Sequence, residues 1–417
     1  MKKTVLSVLL FIIGLIFPQW GAAIQSEDID WRGFISQGYM YSNEYNFLAD
    51  TKGGTFQFNE AGLTLNVGLK PNFFIGMQTL ARNLGDISNA DLRIDWAVAD
   101  YRWKDWLGIR AGMPKIPFGL YNETRDIDML RTSVWLPFGV YNESLRDAFT
   151  SYYGAGIYGY IFAGIMGSFN YQAGYGTKDF EKDGGSWKYM ETAINYNDID
   201  KVKTNEAFYS SLIWQTPLEG MRIGGTFISI SWKAEGTATM YTALPAHIHL
   251  DLDVAFRNTL VMTGSAEYIW KDLVFAAEYF RLQMDITASA YIQNIGFPLS
   301  NSERILEGFY VSAAYRLNSY FEFEMSYSWS SSDINTYYRT DDRRVGPAHR
   351  VSDYCIAGRF DINENWLFKA EMHALDGTDW ITTYNPDLTI TSEAANTVGD
   401  YDDQWWYLFA AKVTYNF

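Results

Sequence analysis

The sequence predicts an all-β fold: a transmembrane antiparallel β-barrel of about 16 strands, with long external loops and an inward-folded third loop. Three observations carry that expectation. Apolar residues recur at every second position through most of the chain, the period of a strand with two unlike faces. Very short connections alternate without a slip with long polar ones, the turn asymmetry of a barrel that crosses a bilayer. Aromatic residues make up 17% of the chain, with 30 tyrosines, more than a core needs but suited to rings at two lipid–water interfaces.

Residues 1–23 read as a removed signal peptide: Lys2 and Lys3 precede the apolar run Val5–Phe17, with small residues at Gly21 and Ala23. That run is too short for a spanning helix, and no other stretch of about 18 apolar residues occurs. Loss of Lys2 and Lys3 takes the formal charge from −16 to −18. So acidic a chain has no basic patch to replace counterions on phosphates, which excludes nucleic acid as a partner. A lone cysteine, Cys355, rules out an intramolecular disulfide.

From Ile29 onward, short turns fall at Lys70–Asn72, Lys104–Asp105, Ala163–Gly164, Pro217–Gly220, Lys271–Asp272, Asn318–Ser319 and Asp361–Asn365. The long connections are 42–54, 81–89, 114–153, 177–206, 241–247, 284–306, 331–352 and 377–403. Residues 24–417 then form one barrel domain with both termini on the short-turn side. Leu92, Ile94, Trp96 and Val98 oppose Arg93 and Asp95; Phe321, Phe323, Met325, Tyr327 and Trp329 oppose Glu322 and Glu324. Likewise Trp366, Phe368, Ala370 and Met372 oppose Lys369, Glu371 and His373. A charge in a packed core costs several kcal/mol unless paired, so the charged face is expected to line water. Arg93, Asp95, Arg110, Glu322, Glu324, Lys369 and Glu371 are the expected lumen wall. Leu273–Gln283 is apolar on both faces near its start and declares no orientation. In the last strand, Trp405, Tyr407, Phe409, Ala411, Val413, Tyr415 and Phe417 form one greasy face. This strand resembles the closing strand of Gram-negative outer-membrane barrels, and the resemblance implies recognition by the barrel-assembly machinery.

The hairpin Met221–Trp270 is longer than a bilayer requires. Even positions from Ile248 through Leu250, Leu252, Val254 and Phe256 are apolar. At about 3.3 Å per residue it outlasts the roughly ten residues of a crossing strand. Its upper apolar edge needs cover from a loop or another protomer. His247, His249, Asp251 and Asp253 share its other face, but neighbours two apart are separated by about 7 Å, and a solvated polar face is favoured over a metal site.

The connection after Leu107–Met113 contains an internal duplication: Pro117–Asp126 reads PFGLYNETRD and Pro137–Asp147 reads PFGVYNESLRD. Proline and glycine set a turn in each copy, and Asn122 or Asn142 can cap a short helix. Two readings stand: paired charges on capped turns, or a constriction folded into the barrel. Lys115, Arg125, Arg131 and Arg146 would face Glu123, Asp126, Asp128, Glu143 and Asp147 across such a neck. The run Arg110–Leu120, RAGMPKIPFGL, resembles the strand-to-loop junction of the phosphate-selective porin family (O/P-like). That resemblance implies a 16-stranded outer-membrane porin whose long third loop narrows the pore. Phosphate selectivity in that family needs many inward Arg and Lys, whereas 114–153 holds four basic and five acidic residues.

Enzymatic motifs are missing: no HExxH, Gly-rich phosphate loop or paired-cysteine motif occurs, and His373 stands alone among four histidines. No cofactor or metal is predicted. The expected function is passive diffusion of small polar or ionic solutes across the outer membrane of a Gram-negative bacterium. A scaffold or sleeve around a partner protein is the alternative. The expected partners are lipid bilayer, solutes and the assembly machinery, and one assembly open to such a chain is a homotrimer. Cysteines placed at Asn72, Lys104 or Asn318 are expected to resist labelling from outside intact cells, while those in 186–200, 340–347 or 385–395 react; labelling at the short turns rules out this register.

Overall fold

The computed structural model describes residues 28–180, 182, 184–194, 198–240, 248–292, 295–332, 350–379 and 405–417. The predicted signal peptide, His247 and most of connections 331–352 and 377–403 lie outside the described residues. Sixteen antiparallel strands close into one barrel, each pairing with its sequence neighbours and the first with the last. They are β1 (Ile29–Ser42), β2 (Phe58–Lys70), β3 (Phe73–Leu84), β4 (Asn89–Lys104) and β5 (Leu107–Met113). Then come β6 (Tyr153–Phe162), β7 (Ser168–Thr177), β8 (Asp198–Gln215), β9 (Met221–Met240), β10 (Ile248–Trp270) and β11 (Leu273–Ile292). The last five are β12 (Ile295–Arg316), β13 (Phe321–Ser331), β14 (Val351–Asp361), β15 (Trp366–Gly377) and β16 (Trp405–Asn416). A helix, α1 (Gly185–Ile194), sits in the connection between β7 and β8.

Closure removes the sheet edges: β1 and β16 run side by side from Phe34 opposite Asn416 to Ser42 opposite Leu408. Alternation then sorts the side chains. On β16, Trp405, Tyr407 and Phe409 point outward, while Trp406, Leu408, Lys412 and Thr414 are buried inside. On β13, Phe323 and Met325 are exposed outside and Glu324 is buried. On β11, the strand without a declared orientation, Phe275 and Tyr279 face out, and Glu278, Phe280 and Leu282 face in.

Two expectations are corrected. In β4, Leu92 and Ile94 face out as expected, but Trp96 and Val98 do not. Gln78 pairs with Trp96 and Thr79 with Ile94, leaving Asp95 as an extra residue. This bulge reverses the alternation, so Trp96 turns inward and its Nε1 donates to Gln78 Oε1 at 2.6 Å. Secondly, 284–306 is not a loop, because β11 continues through it to Ile292 and β12 begins at Ile295. Its polar residues belong to strands above any membrane, where an outward face need not be greasy. In β10, register shifts at Phe256–Thr259, with Asn258 at φ +51°, turn the upper apolar face inward, where residues of the third loop and α1 supply the cover it was expected to need. Leu250, Leu252, Val254 and Phe256 are therefore buried inside the bore, and below the bulge Met262 faces out.

Within a bilayer, Phe323→Arg or Met325→Arg is expected to lower the unfolding free energy by about 2–4 kcal/mol for a midplane position. Urea unfolding in phospholipid vesicles measures it; unchanged stability would mean that this face does not meet lipid.

Candidate functional site

The third loop, 114–152, lies inside the barrel and touches most of its wall. Two backbone features place it. Gly119 adopts φ +59°, which a β-carbon would strain, and a β-carbon on Gly139 would stand 2.4 Å from the Phe309 carbonyl oxygen of β12. The two PFG copies thus turn the chain at one point and press it to the wall at the other. Asn142 caps the 3₁₀ helix Glu143–Phe149, accepting from the Ser144 amide at 2.8 Å. Asn122 is not a cap: its Nδ2 donates to the Ile116 and Phe149 carbonyls at 2.9 and 2.6 Å, lashing the two ends of the loop together.

Aromatic packing fills the bore around these turns. Trp135 stacks on Phe58 of β2 at 4.5 Å, and Phe118 meets Phe280 of β11 at 5.7 Å. Tyr121 and Tyr141, equivalent in the duplication, converge on one wall. Tyr141 donates its hydroxyl to Glu278 at 2.5 Å, the Leu120 amide donates to the same carboxylate at 2.8 Å, and the Tyr121 hydroxyl bonds Glu267. Across the bore, the Val134 amide donates to Glu371 at 2.6 Å and Lys369 donates to the Ser133 carbonyl at 3.0 Å. Thr132 bonds Glu322.

Eight of the nine charged loop residues form ion-paired groups rather than standing in open water, and the ninth, Asp147, is hydrogen-bonded to α1. Glu60 of β2 pairs with Arg82 at 2.8 Å and Lys412 at 3.0 Å, and Arg82 pairs with Glu143 at 2.5 Å. Arg125 also meets Glu143, at 2.7 Å. Asp126 bonds Arg146 and Lys115, the latter at 2.7 Å, and Lys115 lies 3.6 Å from Asp95. Asp128 binds Lys412 at 2.7 Å, Arg131 at 2.9 Å and the Thr414 hydroxyl at 2.7 Å. Asp147 accepts from the Ser186 amide of α1 at 3.0 Å. Glu123 is the most open of the nine, its side chain 37% exposed and within 4.0 Å of Arg110. The near balance of four basic and five acidic residues was the visible signal of pairing; the wall partners Glu60, Arg82 and Lys412 had no such signal.

Burial raises the Asp126 carboxyl, but Lys115 and Arg146 outweigh it and hold the group well below the usual carboxylate range. Lys412, Lys369 and Arg131 do the same for Asp128, as do Arg82 and Arg125 for Glu143. Asp147 goes the other way, pushed up by burial that the Ser186 bonds do not fully offset. Burial pulls Lys178, beside the loop's end, down to about 8.

Two polar cavities flank this layer. One of about 910 Å³ opens at the short-turn end and is lined by Arg32, Asp100, Arg110, Lys115, Glu123 and Asp126. Another of about 460 Å³ lies toward the long loops, lined by Arg93, Asp95, Glu143, Arg146, Asp147 and Lys178. The pairs joining Asp95, Lys115, Asp126 and Arg146 divide the two.

His373 is not alone, contrary to the sequence reading. The β14–β15 register sets it opposite Cys355, with Asp353 nearby. Its Nδ1 lies 2.9 Å from Asp353, its Nε2 3.0 Å from Glu371 and 3.8 Å from the Cys355 sulfur. The ligand-type atoms of Cys355, Glu371 and His373 lie within 4.8 Å of one another. Both imidazole nitrogens are engaged by carboxylates, and Phe138 stacks on the ring at 5.4 Å. Such bracketing accounts for the burial of the group without an ion or a substrate. On β10, Asp253 lies 3.5 Å from Lys233, and Asp251 is exposed.

A closed barrel of 16 antiparallel strands, with its third loop packed across the bore, is the fold of outer-membrane porins. Among solved structures, the chain is similar to OmpF of Salmonella typhi, solved with daunomycin (11% identity, 94% of this chain and 99% of that one, TM-score 0.53). It is also similar to OmpT of Vibrio cholerae (13% identity, 94% and 99%, TM-score 0.52) and to an anion-selective porin of Comamonas acidovorans (10% identity, 93% and 99%, TM-score 0.52). At such identities the likeness speaks to fold. No family model and no curated protein matches the chain.

Asp128→Asn leaves Lys369 buried without its counter-charge, and Lys412 with Glu60 alone, and is expected to cost about 3–5 kcal/mol of unfolding free energy. The depressed carboxyls of Asp126, Asp128 and Glu143 contribute fully above their unfolded pKa near about 4 and lose that contribution as pH falls below it. The contribution of these three groups to the unfolding free energy should therefore be level from about pH 7 to 5 and fall steeply below about 4.

Proposed function

We propose that the protein is a non-enzymatic porin of a Gram-negative outer membrane, a passive diffusion channel for small polar or ionic solutes. The observation that carries this reading is the third loop lying across the bore, with charged groups between two polar cavities. Arg93, Asp95 and Arg110 border those cavities, Glu123 is the loop charge most open to water, and Lys115 lines the cavity at the short-turn end. Glu322, Glu324, Lys369 and Glu371 belong to the wall that the loop grips. Residues filling the bore at the loop's level, Trp135 and Phe138 among them, leave no room to thread a partner protein, which tells against a sleeve.

Export through residues 1–23, assembly through β16 and a homotrimeric state belong to the same proposal. So does kinship with phosphate-selective porins, which rests on Arg110–Leu120. Paired loop charges support no strong anion preference, and a chain of −18 after export favours cations weakly.

Planar-bilayer recording tests the channel. The wild type should conduct, and deletion of 121–147 should raise conductance and the solute size limit, because Glu60, Lys369 and Lys412 then become hydrated lumen groups. Lys115→Glu should shift the reversal potential toward cation preference, more so at low salt, since the Debye length at 0.1 M is about 10 Å. Unchanged conductance and size limit after deletion would remove the loop from the permeation path.

A further inference from the structure

The upper bore holds a feature that a path for polar solutes does not need. Above the bulge in β10, Val254 and Phe256 turn inward, and Trp232 of β9 lies parallel to Phe256 with ring centroids 3.6 Å apart. Together with Phe149 of the third loop, Met190 of α1 and Leu282 of β11, they surround a cavity of about 350 Å³. That volume falls in the range of small-molecule sites, which take a mostly apolar body and a few placed polar groups. Water gains little there, because an apolar pocket gives it too few partners.

Two polar groups are placed within it. Tyr209 and Thr259 line the cavity, are 1% and 4% exposed, and neither hydroxyl has a hydrogen-bond partner. Buried hydroxyls are normally satisfied, and one left unpaired costs free energy that an oxygen atom of a ligand would recover. Arg304 is the one charged residue of the described lining and is only partly buried. An ion placed deeper would have no counter-charge.

We infer that this cavity binds a compact, uncharged aromatic or alicyclic molecule bearing one hydroxyl or carbonyl group. Its body lies among Trp232, Val254 and Leu282, and its oxygen bonds Tyr209 or Thr259. The cavity lies apart from the ion-paired layer, and Leu145 and Phe149 on the loop's last helix connect the two.

Equilibrium dialysis of the protein in lipid nanodiscs against 1-naphthol tests the assignment, with protein-free nanodiscs as the partition control. The expected result is a saturable component of one naphthol per chain. Val254→Trp, which fills the cavity, should abolish it. The double variant Tyr209→Phe, Thr259→Val keeps the cavity's shape and should weaken binding about tenfold. Naphthalene, with the same body and no oxygen, should bind the wild type as weakly as naphthol binds the double variant. A saturable component that survives these variants, or none at all, overturns the assignment. Should Val254→Trp not fold, the double variant and naphthalene decide. Dialysis reads no ion flow, so failure here is distinct from failure of the channel proposal.

Discussion

The structure depends on the need of a charged inner wall for partners. Glu60, Glu371, Lys369 and Lys412 project from three strands into a bore too filled to hydrate them. An isolated buried charge costs several kcal/mol, and a buried pair holds only where geometry and further hydrogen bonds are good. The third loop supplies both. Asp128 reaches Lys412, Arg146 approaches Glu60 at 3.8 Å, and the Val134 amide satisfies Glu371. Loop and wall are thus each other's solvent, which explains why the loop carries charge yet lies in the interior.

Apolar burial holds the other side of the loop. The β10 bulge redirects a face that would otherwise meet solvent above the membrane. Its residues, with Phe280, Leu282 and Met284 of β11, form a greasy inner wall against which Phe118, Leu145 and Phe149 pack. Trp187 and Met190 of α1 are buried over the same helix. The interior is therefore divided into a charged sector near β1–β4 and β13–β16 and an apolar sector near β8–β12. The cavities bordered by charged residues and the apolar cavity belong to different sectors.

Much of the barrel was legible in the sequence, because a period of two and short turns are local properties. β5 is found at Leu107–Met113 as expected, and the outward faces of β13, β15 and β16 follow their alternation. Bulges escaped notice: Asp95 and Asn258 each add one residue, and nothing in composition marks where alternation slips. The extent of β11 and β12 was missed because strands beyond a bilayer carry polar residues such as Asp285, Asn301 and Glu303 and read as loops. In the site, the loop's charges were legible but their partners were not. Pairing of Asp128 with Lys412, 284 positions later, depends on barrel closure, and the Asp353–His373–Glu371 group depends on strand register.

The most direct measurement of the central claim is hydrogen–deuterium exchange of the loop amides in the bilayer-embedded protein. Leu120, Val134 and Trp135 donate to wall carboxylates inside the bore. If the loop is held there by those charges, their amides exchange as slowly as those of β13 and β15, and Glu371→Gln speeds Val134 and Trp135 selectively. Exchange at the rate of a solvated loop would contradict the account.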